Sequence, residues 1–118
     1  MQYRKLGQTD LNVSVIGLGT EYLVKASQET VTSVVHAAVD AGVNYFDVLF
    51  AKPDYRDHFG QAFKGLRDKV IITGHLPTTE GVEWCGQSFH DHLTRLRFGS
   101  LPTCHATQRT LRAGCRPG

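Results

Sequence analysis

Ala41-Gly42-Val43-Asn44-Tyr45-Phe46-Asp47-Val48-Leu49-Phe50 is the stretch on which the fold of this chain turns. From Val43 onward it is apolar enough for a strand covered on both faces, and Asp47 is the one charged residue within it. Helical patterns flank it. On the N-terminal side Ser27 is a good cap, Glu29 suits the positive end of a helix, and Val31, Val34, Val35 and Ala38 recur at helical spacing until Gly42 stops them. On the C-terminal side Lys52, Pro53 and Asp54 read as a loop, and Phe59, Ala62, Phe63 and Leu66 repeat the helical spacing, which predicts a helix over residues 55–66.

The same alternation extends in both directions. Residues 2–6 and a strand starting at Asn12 and Val13, joined by a turn at Gly7, Gln8, Thr9 and Asp10, predict a hairpin. Residues 13–20, with β-branched residues leading into Gly17 and Gly19, predict the first core strand, ending in a loop that passes close to a neighbour. Val70, Ile71 and Ile72 make a third strand; Val82, Cys85, Phe89, Leu93 and Leu96 mark a third helix that starts near Thr79 and Glu80. Strands and helices alternating over short connections describe βα units on a parallel sheet. Three such units leave sheet edges and faces that need further cover.

The 118 residues allow one domain of ordinary size. With 41% hydrophobic and 20% charged residues a core is possible and wholesale disorder is not expected. The formal charge of +2 is too small to draw in nucleic acid or an anionic membrane surface. Cys85, Cys104 and Cys115 are odd in number and lack CxxC spacing, which argues against a disulfide framework or a zinc or iron–sulfur site. His90 and His92 fall on opposite sides of a helix and cannot close on one metal, so no metal is expected. No apolar run approaches the roughly 18 residues of a membrane span, and residues 1–10 have no signal-peptide core, so the expected location is cytoplasmic.

Residues 98–118 are a different kind of sequence: three arginines, three glycines and two prolines, with no Asp, Glu or Lys. A fourth strand is due there, yet β-branched alternation is missing and Pro102 interrupts it. The expected division is a βα domain over residues 1–97 and an irregular basic tail over residues 98–118, either disordered until it meets a partner or translated out of its original frame.

Three stretches together resemble one family. They are Tyr3-Arg4-Lys5-Leu6-Gly7-Gln8-Thr9-Asp10-Leu11-Asn12-Val13-Ser14-Val15-Ile16-Gly17-Leu18-Gly19-Thr20, then Ala41-Gly42-Val43-Asn44-Tyr45-Phe46-Asp47, then Gly60-Gln61-Ala62-Phe63-Lys64-Gly65-Leu66-Arg67-Asp68-Lys69-Val70-Ile71-Ile72-Thr73. In this order and spacing they resemble the N-terminal part of the aldo-keto reductases, from residue 1 to about residue 97. The resemblance implies an N-terminal hairpin and about three βα units of an incomplete (β/α)8 TIM barrel, where a complete barrel takes roughly 250 residues. It also implies NADP as cofactor and hydride transfer to an aldehyde or ketone.

The family works with an Asp, a Tyr, a Lys and a His. Asp47 matches the Asp, and a carboxylate at the C-terminal end of a parallel strand is where barrels place their chemistry. Lys52 stands at the Tyr position and His75 at the Lys position, while the family's His would end the strand that the tail replaces. Lys52 and His75 are the candidates to complete the centre, His75 being near its working pKa at neutral pH. Tyr55 is a further proton donor if its loop folds back. The plainer alternatives are Lys52 and Tyr55 as solvated loop residues, His75 as a polar strand end, and Asp47 as a cap on a loop amide. Gly17-Leu18-Gly19-Thr20 lacks the third glycine of a dinucleotide fingerprint, and by resemblance Gly19 and Thr20 touch the nicotinamide end of NADP.

Two expectations follow. Either the chain is the N-terminal part of an NAD(P)H-dependent oxidoreductase acting on a small-molecule carbonyl, not competent by itself, or it is a truncated, non-catalytic piece that self-associates or binds a partner through exposed sheet edges.

Overall fold

The computed structural model describes residues 1–48 and 53–74 and, beyond these, Gln87, His90, Asp91 and residues 94–96. Strands β1 (Tyr3–Lys5) and β2 (Asn12–Ser14) form an antiparallel hairpin with Tyr3 opposite Ser14. Strands β3 (Leu18–Gly19), β4 (Tyr45–Asp47) and β5 (Ile71–Thr73) form a parallel sheet in the order β3-β4-β5. Helices α1 (Gln28–Asp40) and α2 (Pro53–Ala62) connect them, with short 3₁₀ turns at Glu21–Leu23 and Arg67–Lys69. Gln87, His90, Asp91, Thr94 and Arg95 are helical, where the third helix was expected.

Local chemistry sets the ends of α1. The Ser27 side chain accepts from the Thr30 N–H at 3.2 Å, satisfying one of the first-turn donors. Gly42, at φ +90°, turns the chain out of the helix in a conformation that L side chains avoid. Its carbonyl accepts from the Tyr3 hydroxyl at 2.8 Å, which ties the hairpin to the turn after α1. Asn44 completes the attachment. Its Oδ1 accepts from Ser14 N–H at 2.7 Å and its Nδ2 donates to Asn12 O at 2.9 Å.

The core lies between the sheet and the helices. Val31 and Val35 of α1, Phe46 of β4, Tyr55 and Phe59 of α2, and Phe63, Ile72 and Leu96 bury their side chains in one cluster. The Phe46 and Phe63 rings meet edge to face at 5.2 Å, and Tyr55 and Phe59 at 4.9 Å. Gln28 Nε2 donates to His58 O at 2.9 Å, and His36 Nε2 lies 3.1 Å from Ala62 O, so polar bonds flank the apolar contact of α1 with α2. A carbonyl only accepts, so Nε2 of His36 carries the hydrogen.

Four boundaries differ from the sequence reading. The strand expected over residues 13–20 is divided, because Val13 and Ser14 belong to the hairpin and Val15 and Ile16 are exposed where the chain crosses to the parallel sheet. Their branched side chains read as core but reach solvent. The strand expected from Val43 is regular only at Tyr45–Asp47, although Val43 and Val48 are buried. Pro53 and Asp54 open α2 instead of forming a loop, since the missing proline N–H is one that a first helical turn leaves unpaired. The same helix ends at Ala62, with Phe63 and Leu66 still packed against the core beyond it. Residues 98–118, and with them the expected tail, lie outside the described residues.

Helix α2 comes very close to the helical residues beyond it. A Cβ on Gly60 would lie 2.1 Å from the Arg95 carbonyl oxygen, so only glycine admits this approach. Charges brace the same crossing: Arg56, largely buried, pairs with Asp91 at 2.9 Å. Arg95 binds Asp91 through Nε at 3.0 Å and Asp57 through its Nη1 at 3.1 Å. The hydrogen bond to Asp91 holds the Arg95 guanidinium above its ordinary range, and the Asp91 and Asp57 charges add to this against a smaller opposing effect of burial.

Candidate active site

Parallel pairing aligns the strands residue by residue. Leu18, Phe46 and Ile72 form one row and Gly19, Asp47 and Thr73 the next. Phe46 and Ile72 bury their side chains against the helices, so the alternation of a strand places the Asp47 row on the opposite face, at the C-terminal end of the sheet. Asp47 is half-buried there, flanked by a glycine on one strand and a buried threonine on the other. The Val48 N–H donates to Thr73 O at 2.8 Å and closes the sheet just beyond this row.

Thr20 follows Gly19 and is fully buried. Its hydroxyl donates to the Asp47 main-chain carbonyl at 2.6 Å and is also hydrogen-bonded to the Tyr55 hydroxyl. The Tyr55 hydroxyl lies 3.3 Å from Thr20 O as well. At 2% exposure, Tyr55 is not a solvated loop residue; it stands in the first turns of α2, packed on Phe59.

Glu21 enters the site without having been singled out from the sequence. Its Oε2 lies 2.9 Å from the place a Cβ on Gly19 would occupy, so a carboxylate hangs over the glycine. The available signal was its position, an acidic residue directly after a strand-ending Gly-Thr pair. Thr73 was equally unremarked; only the register of β4 with β5 puts it beside Asp47. Of the five expected site residues, Gly19, Thr20 and Asp47 come together, and Lys52 and His75 lie outside the described residues.

The fold has solved counterparts. An aldo-keto reductase from Klebsiella pneumoniae, crystallised with NADPH, superimposes with a TM-score of 0.65 at 26% identity, over 87% of this chain and 43% of its own. The chain has the fold of part of such a barrel. A Pseudomonas aeruginosa protein assigned to the aldo-keto reductases matches with a TM-score of 0.69 at 19% identity, over 94% of this chain and 54% of its own. Among curated proteins, the uncharacterized oxidoreductase YqkF of Bacillus subtilis is 31% identical over 86 residues, which are 71% of this chain and 26% of that one. No family model matches the chain. The chain thus spans about half the length of the solved aldo-keto reductases and about a quarter of the curated relative.

In an aldo-keto reductase barrel the C-terminal ends of the strands form the mouth where the chemistry takes place. The Gly19-Asp47-Thr73 row is that end of this sheet. Among the described residues, Asp47 in the row and Glu21 over Gly19 are acidic groups at this end. No described helix is long and apolar enough to cross a membrane.

Proposed function

We propose that this chain builds the N-terminal part of an NAD(P)H-dependent aldo-keto reductase site and does not complete the reaction by itself. The observation that carries this reading is the in-register row of Gly19, Asp47 and Thr73 at the C-terminal ends of three parallel strands. Gly19 and Glu21 would hold the nicotinamide end, and Thr20 would act from beneath, its hydroxyl being bonded to the Asp47 carbonyl. When bound, the cofactor supplies a hydride to a carbonyl carbon.

The protein's own task is then to place a proton on the carbonyl oxygen. Asp47 would draw a cationic side chain toward the reacting centre. Lys52, five residues after Asp47, and His75, two residues after Thr73, are the groups on this chain that we assign to donate and orient; Lys52 replaces the family's tyrosine. An aldehyde or ketone is the substrate class.

The test is an NADPH titration read by quenching of Trp84, the single tryptophan, with turnover of an aromatic aldehyde followed at 340 nm. Saturable quenching below about 1 mM NADPH, weakened by Asp47→Asn, with no turnover, is the expected result. No quenching in that range refutes the cofactor site, and turnover refutes the statement that the chain is incompetent alone.

A second reading has its own observation. Among the described residues β3 and β5 are the outer strands of the parallel sheet, and Val15, Ile16 and Tyr22 are exposed. They favour self-association through the sheet edges. A concentration-dependent, early elution on size exclusion together with absent NADPH binding would select this reading over the first.

A further inference from the structure

Tyr55 has two possible roles in the site proposed above: proton donor, or support for the strand end that presents Asp47. Hydrogen accounting separates them. The Asp47 main-chain carbonyl can only accept, so the Thr20 hydroxyl hydrogen points to it. Thr20 then has no hydrogen for Tyr55, and the Tyr55 phenol must donate to Thr20, to its hydroxyl or its carbonyl. The phenol hydrogen therefore points into the protein, at a site where Tyr55 is 2% exposed and Thr20 is fully buried.

We infer that Tyr55 is a positioning residue: through the Thr20 hydroxyl it fixes the main chain at Asp47, and thereby the carboxylate of the proposed site. The relay runs from the first turns of α2, through the residue after β3, to the last residue of β4, so it joins three elements at the end of the sheet where the chemistry is proposed. Buried hydroxyls that have lost a partner keep their desolvation cost, so removing either member releases the other.

The inference rests on the reading of Asp47 as a site residue, and the experiment separates the two. Amide hydrogen exchange is compared in the parent chain, Tyr55→Phe, Thr20→Val and Thr20→Ser. The Val48 amide, bonded to Thr73 O next to Asp47, reports the supported end of the β4–β5 pair, and the Ile71 amide, bonded to Asn44 O, reports the other end of the same pair.

The expected result is that Tyr55→Phe and Thr20→Val each speed exchange at Val48 by about five- to tenfold, while Ile71 changes less than about twofold. Thr20→Ser, which keeps the hydroxyl, stays within about twofold of the parent at both amides. An equal rise at both amides overturns the inference, because it is the mark of general destabilisation. So does an unchanged Val48, or a Thr20→Ser variant as fast as Thr20→Val. If Tyr55→Phe fails to fold, the comparison of Val with Ser at position 20 decides alone.

NADPH binding is measured on the same proteins. A parent that fails to bind NADPH removes the proposed cofactor site, and the exchange rates then still decide whether the relay exists. A parent that binds, with Tyr55→Phe weaker by about threefold or more, supports both.

Discussion

Replacing Gly60 with alanine sets two effects of opposite sign against each other on α2. Inside a helix alanine is favoured over glycine by about 1 kcal/mol, so by propensity alone the variant would be more stable. The added Cβ, however, would lie 2.1 Å from the Arg95 carbonyl oxygen, 3.2 Å from its carbon and 3.4 Å from the Leu96 Cα. A carbon and a carbonyl oxygen rest at about 3.3 Å or more, so one backbone must retreat by about 1.2 Å. All three are backbone atoms, not the tip of a flexible side chain that could turn aside. The retreat would stretch the 2.9 Å pair between Asp91 and the largely buried Arg56, and it would lift Leu96 from the core. Overpacking costs about 1–3 kcal/mol, and weakening a partly buried ion pair adds to it, so the net expectation is a loss of about 2 kcal/mol. Urea unfolding followed by circular dichroism measures it, with Gln61→Ala, on an exposed position of the same helix, as the control. A Gly60→Ala chain that is more stable than the parent by about the propensity difference would refute the close crossing.

Three further outcomes follow from the contacts described. Ser27→Ala removes the side-chain acceptor of the Thr30 N–H and should lower stability by about 1 kcal/mol, read from the urea midpoint, whereas Ser27→Asp should leave it nearly unchanged. Asn44→Ala removes both bonds to the hairpin and should cost about 1–2 kcal/mol; limited proteolysis would then cut within residues 1–14 well before the rest of the chain, and equal cutting in parent and variant would contradict the tether. For Arg95→Met the dependence on pH is the informative part. A folded-state pKa raised above the unfolded one stabilises fully below the arginine range and loses that effect only as pH rises through it. The destabilisation should therefore be the same at about pH 7.5 and about pH 9, and a trend across that window would show that another group controls the network.

The sequence was most informative where structure is made locally. Ser27 and Gly42 bound α1 as expected because a cap and a positive-φ stop act within one turn, and Val31 and Val35 reach the core because a 3.6-residue period leaves them no other face. Asp47 stood out as a charge inside a strand pattern, and the register confirms only its place beside Gly19 and Thr73. Val15 and Ile16 misled because branching favours extended backbone without saying whether the side chain is covered. The contact of Tyr55 with Thr20 spans 35 residues and could not be read from spacing at all. Gly60 did carry a signal, since a glycine kept within a helical pattern marks either a stop or a close approach. Its partner, the Arg95 backbone, is known only from the packing.

The attachment of the hairpin through Tyr3, Gly42 and Asn44 also imposes an order on synthesis. Two three-residue strands are too short to hold together in water, so β1 and β2 leave the ribosome with nothing to dock on. At roughly 5–20 residues per second, Asn44 is translated about two to eight seconds after the first residues, and it must still clear the exit tunnel. The hairpin is thus fastened only once residues made later in the chain have arrived.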